Sequence, residues 1–133
     1  MENKLIKINS EISAGELLDK ISILEIKIDK IQDKESLAEI KKQYKILKQT
    51  QDLYIKTNNE IKKLFLEIKK TNQNLWHIED KIRVCEKNKN FGKEFVELAR
   101  GVYLNNDKRA KIKSNLNKLL GSNIKEIKQY SDY

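Results

Sequence analysis

Proline is absent from the 133 residues, and glycine occurs only at Gly15, Gly92, Gly101 and Gly121. Tight turns have little to build on, so a turn-rich β sandwich or barrel is disfavoured and long uninterrupted helices are expected. The single cysteine, Cys85, excludes an intrachain disulfide and a cysteine zinc cluster. Its expected role is that of a small, partly buried residue. The single histidine, His77, sits beside Trp76 and has no second histidine with which to bind a metal. No serine or cysteine has an identifiable base partner, so a nucleophilic triad finds no support. No apolar run is long enough to cross a bilayer, and the stretch from Met1 to Ile8 lacks the apolar core of a signal peptide. A soluble, cytoplasmic protein is the expectation. Aromatic residues make up only 7% and are not interleaved with basic ones into a stacking platform.

Charge is plentiful: 36% of residues are charged and the formal net charge is +8. The excess is spread along the chain. Residues 1–35 carry 6 bases against 8 acids, residues 36–90 carry 13 against 7, and residues 91–133 carry 9 against 5. Arginine occurs only at Arg83, Arg100 and Arg109, and the lysines alternate with Glu and Asp at helical spacing, the pattern of a solvated face. A nucleic-acid partner is therefore disfavoured, because phosphate tracking concentrates basic residues on one surface.

Periodicity supplies the fold class, an all-α antiparallel bundle of about four main helices in a single domain over 1–133. The segment 1–12 leaves room for a short strand at Leu5 to Ile8. Ser13-Ala14-Gly15-Glu16 is a capping box, stapled by Ile12 and Leu17, that opens a helix over 13–33 with Leu17, Ile21, Leu24, Ile28 and Ile31 as its seam. Ser36-Leu37-Ala38-Glu39 repeats that signal and predicts a second helix over 36–50, folded back on the first. The pattern weakens between 49 and 60, and a third helix over 57–88 comes next. The fourth, 91–120, carries the longest seam: Phe91, Phe95, Leu98, Val102, Asn105, Arg109, Ile112, Leu116 and Leu119. Its neighbouring stripe includes Tyr103, Asn106, Lys113 and Asn117. This reads as a helix covered on much of its girth, with polar groups in its middle, around which the chain is organised. Gly121 suits its C-terminal stop, and the tail 122–133, with Ile124, Ile127, Tyr130 and Tyr133, is expected to pack back on the bundle.

An antiparallel hairpin of the third and fourth helices would place Glu79 level with Arg100 and gather charge in its middle. Three outcomes are open: structural pairing, such as Glu79 or Asp80 with Arg100 and Glu16 with Lys20; an anion site; or a Mg²⁺ site. The anion-binding candidates are Lys20, Trp76, Arg83, Arg100, Tyr103, Asn106, Asp107 and Arg109, with Trp76 and Tyr103 as walls. The carboxylates that could hold Mg²⁺ are Glu16, Asp19, Glu79 and Asp80, although the doubled-Glu motif of all-α nucleotide pyrophosphatases is missing.

Four stretches carry a family resemblance: SAGELLDKISILEIK from Ser13, NLWHIEDKIR from Asn74, FVELARGVYLNNDKRAKI from Phe95, and the ending from Gly121 to Tyr133. They resemble a family of small bacterial and phage proteins of unknown function, some encoded near or joined to glycosyltransferase-type proteins. That resemblance implies a place near surface-glycan synthesis and brings no activity or catalytic residue with it. His77 and Gly101 stand where the family pattern has Asp and Ser. Two functions are therefore expected. The first is a non-enzymatic accessory or interaction module with a protein partner or a second copy of itself, and with no cofactor. The alternative is a binder of a phosphorylated metabolite or nucleotide, or a Mg²⁺-dependent enzyme acting on one.

Overall fold

The computed structural model describes residues 5–133, and among these the chain forms α1 (Ala14–Lys30), α2 (Lys34–Tyr54), α3 (Asn59–Lys87) and α4 (Lys93–Leu120). It is an all-α bundle. No strand forms among the described residues, and Leu5, Ile6 and Ile8 are almost fully exposed. A lone strand has no ladder to join, so its backbone groups stay with water.

Each of the first three helices opens on a side-chain cap. The Ser13 hydroxyl accepts from the Glu16 N–H at 3.2 Å, as its capping-box signal predicts. The reciprocal half is not made, because the Glu16 side chain turns toward lysines instead. For α2 the cap is Asp33, whose carboxylate accepts from the Ser36 N–H at 2.9 Å. The helix therefore starts one turn before the Ser36 signal and, with no breaker between Gln49 and Asp52, runs on to Tyr54. Asn58 caps α3 through the Ile61 N–H at 2.9 Å. Gly121 closes α4 in the left-handed region at φ 63°, where a side chain would be strained.

The central element is α1, not α4. It packs against all three other helices, whereas α2 packs against α1 alone. Leu17, Leu18 and Ile21 of α1 meet Ile61 and Ile68 of α3 and Ile112 and Leu116 of α4 in the apolar core. At 29 and 28 residues, α3 and α4 are each about 42 Å or more long, against about 26 Å for the 17 residues of α1. The hairpin therefore outruns its cover. Only Ile112, Lys113, Leu116 and Asn117 of α4 are buried, and Phe91 and Val96 near its start are half exposed.

The tail returns along α4 through polar contacts and one aromatic contact, Tyr133 on Tyr103. Glu126 reaches Lys113 at 2.9 Å and the Tyr133 hydroxyl donates to Asp107 at 2.6 Å, while Ile127 and Tyr130 stay exposed.

Candidate functional site

Two adjoining regions hold the polar side chains of the bundle. The first is a buried seam where α1 crosses α4. Gly15 permits the approach: a Cβ there would lie 2.6 Å from the Lys113 carbonyl oxygen and 2.9 Å from Asn117 Oδ1. The first-turn N–H groups of α1 are consequently capped from α4 and from Ser122 just beyond its end. The Gly15 N–H donates to Asn117 Oδ1 at 2.7 Å and the Ala14 N–H to the Ser122 hydroxyl at 3.1 Å. With Ser13 serving Glu16, the N–H groups of Ala14, Gly15 and Glu16 are all engaged within the protein.

Lys113, 8% exposed, is the charge at the centre of this seam. Its ammonium lies 2.8 Å from Glu16, 2.9 Å from Glu126 and 3.7 Å from the buried Asp19. Burial pushes the Lys113 pKa down, but hydrogen bonds to Glu16 and Glu126 and the charges of Glu16 and Asp19 more than reverse this, leaving it raised. Burial likewise pushes the Glu16 carboxyl up, and Lys113 with Lys20 overcomes it, so Glu16 ionises below its ordinary value. The Lys113 hydrogen bond holds Glu126 low as well.

From Asp19 the network continues to α3. Asn72 donates from Nδ2 to Asp19 Oδ1 at 2.7 Å and to the Ser22 hydroxyl at 2.8 Å. That hydroxyl donates its own proton to the Asp19 carbonyl at 2.7 Å, so it can only accept from Asn72. The orientation of the amide is thereby fixed: its oxygen must face away from Asp19, and there it accepts from Arg109 Nη1 at 3.0 Å. Asn106 Oδ1 takes a second N–H of Arg109 at 2.7 Å.

Arg109 opens onto the second region, a groove of about 570 Å³ along the α3–α4 hairpin beside α1. Its apolar surface is Ile23 and Ile26 of α1, Leu75 and Trp76 of α3, and Val102 of α4. Asn72, Asn106 and Arg109 stand at one end, and Glu79, Asp80 and Arg83 toward the other. Of the anion-binding candidates, the structure thus brings Trp76, Arg83, Asn106 and Arg109 to one groove. Arg100, Tyr103 and Asp107 are elsewhere, on the surface where the tail returns: Arg100 donates to the Tyr103 hydroxyl at 3.4 Å, and Tyr133 covers Tyr103 and Asp107. Lys20 pairs with Glu16 at 3.5 Å, half exposed. The Glu16–Lys20 pair is therefore present. The expected Glu79 or Asp80 pair with Arg100 is replaced by Glu79 with Arg83 one turn along the same helix, because neighbours on one helix meet at less entropic cost than partners across two.

The four carboxylates proposed for Mg²⁺ do not converge. Glu16 and Asp19 lie on Lys113, whereas Glu79 and Asp80 line the groove. Among the described residues no group of three or more His, Cys, Asp or Glu is placed to hold a metal ion. Cys85 is buried, and burial raises its thiol pKa; His77 is exposed. Sequence reasoning left Gly15, Ser22, Lys113, Asn117 and Glu126 off the site. Lys113 and Asn117 did carry a signal, being polar residues four apart in a stripe otherwise suited to cover.

Fold and site together define a small all-helical protein with a buried ion-pair seam and an adjoining open groove. The chain belongs to a family of unknown function, DUF6165, whose profile matches residues 8–132. No curated protein and no solved structure matches it.

Proposed function

We propose that the protein is a non-enzymatic accessory module that works by binding, and that its working surface is the groove between α1, α3 and α4. The observation that carries this reading is the division of labour between the two polar regions. In the seam, Lys113 is shared by Glu16 and Asp19, with Lys20 also on Glu16, and these ion pairs lock α1 to α4. In the groove, Trp76 and four aliphatic side chains are combined with a few oriented polar groups, the composition of a binding site. A cytoplasmic location, motivated by the lack of a signal-peptide core and of a membrane-length apolar run in the sequence, and a role beside surface-glycan synthesis, which rests on the family resemblance, belong to the same proposal. Among the described residues no helix is long and apolar enough to cross a membrane.

The second reading, a Mg²⁺-dependent enzyme on a phosphorylated metabolite, has Arg83 and Arg109 at the groove in its favour. A thermal-shift screen of the purified chain against nucleotides, nucleotide sugars and sugar phosphates, with and without Mg²⁺, separates the two. Ligand at about 100 times its Kd adds roughly 2.7 kcal/mol to apparent stability. The binding module expects a shift that is independent of Mg²⁺ and leaves the compound unchanged. A shift that requires Mg²⁺ and is accompanied by conversion of the compound would replace it with the enzyme.

A further inference from the structure

We infer that the Arg109 end of the groove is an anion subsite, built to hold the phosphate or carboxylate of a small organic molecule whose flat or apolar part lies along Trp76. The inference deepens the groove reading above and rests on it.

Three half-buried cations, Lys27, Lys48 and Arg109, stand outside the ion pairs found among the described residues, and of the three only Arg109 lines this groove. Lys113 has three carboxylates and Lys69 has Glu25 at 2.9 Å, but among the described residues no carboxylate lies within ion-pair distance of Arg109. Its protein partners are two neutral amide oxygens, Asn72 Oδ1 and Asn106 Oδ1. A guanidinium has five N–H donors, so three remain for something else. Two amide acceptors orient the fork without cancelling its charge, which is the arrangement that favours an incoming oxyanion.

The orientation is enforced from deep inside. Asn72 is 5% exposed and cannot turn over, because its amino group is held by Asp19 and Ser22. The buried seam therefore aims Arg109 from behind, and Asn106 on the same helix holds it from the side. Glu79 and Asp80 would repel an anion, but they lie seven and eight residues along α3 from Asn72, about 10 to 12 Å away at 1.5 Å per residue. Between the two ends stands Trp76, one turn from Asn72 on the same helix. At about 570 Å³ the groove is in the size range of small-molecule sites, which span about 300 to 1,000 Å³.

Trp76 is the only tryptophan of the chain, so its emission reports on the groove directly. The experiment titrates the purified full chain with phenyl phosphate, benzoate and phenol, and uses inorganic phosphate as competitor. Phenyl phosphate or benzoate should change Trp76 emission saturably, at concentrations at least about tenfold below those phenol needs, as a charge-assisted hydrogen bond would give. Which of the two is tighter distinguishes phosphate from carboxylate. Inorganic phosphate should displace phenyl phosphate and leave phenol in place. Arg109→Gln should bind phenyl phosphate no better than phenol. Asn106→Ala, which frees the fork without touching Asp19, should weaken it a few-fold while the helical circular dichroism is unchanged. Equal binding of phenol and phenyl phosphate by the wild type, or wild-type binding by Arg109→Gln, would overturn the anion subsite and leave the groove reading standing. If none of these compounds alters Trp76 emission, the anion subsite is overturned, and the groove reading is then decided by the thermal-shift screen.

Discussion

Single residues decide how charge is tolerated inside this bundle. Lys113 and Asp19 are each expensive to bury alone, and the cost is offset because Glu16 and Glu126 share the ammonium while Asn72 donates to the Asp19 carboxylate. Among the described residues no buried side-chain polar atom lacks a partner. Lys113→Met should therefore destabilise the protein by about 3 to 5 kcal/mol at neutral pH, since it strands the buried Asp19 and the half-buried Glu16. With Lys113 gone, the burial that pushes the Glu16 carboxyl up is opposed by Lys20 alone, so its folded-state pKa rises. The variant should then become more stable when the pH is lowered from about 7 to 5, opposite in slope to ordinary acid denaturation. Urea unfolding of the variant at the two pH values measures both parts.

At the level of elements, the seam exists because two helices come unusually close. Gly15→Ala improves helix propensity, yet its methyl group would sit 2.6 Å from backbone that cannot move without shifting α4. A net loss of about 1 to 3 kcal/mol is expected. Gly101→Ala is the control. Its methyl group would meet only the tip of the Ile78 side chain at 2.9 Å, which can change rotamer, so the roughly 1 kcal/mol helix preference for Ala should leave that variant close to wild type or slightly more stable. Thermal melts of the two variants side by side settle the contrast. The remaining helix, α2, depends on α1 alone; Tyr44 donates to Glu25 at 3.2 Å, and that same carboxylate receives Lys69 from α3. One glutamate thus ties the two helices that do not pack on each other.

For the whole molecule, the linked titrations set a pH window. Glu16 and Glu126 have folded pKa values below their ordinary 4.5, so their contribution is present above that pH and lost as pH falls through the lowered values. Lys113 is raised above 10.5, so its contribution is present below that pH and lost only as pH rises through the raised value. Wild-type stability from this seam should be flat between the two limits and fall outside them, which urea midpoints across the range will show. The sequence by itself determined the all-α class, all four helix starts to within two residues, the Gly121 stop and the α3–α4 register, because caps and seams are local and periodic. Trp76, Arg83, Asn106 and Arg109 were legible for the same reason, as they derive from that register. The tertiary structure alone decided that α1 is central, that Glu16 and Asp19 part from Glu79 and Asp80, and that Lys113 and Asn117 are buried. Those outcomes depend on the angle and closeness at which α1 crosses the hairpin. That crossing is set by a missing Cβ at Gly15 and by the competition of carboxylates for one ammonium, and no spacing along the chain encodes either.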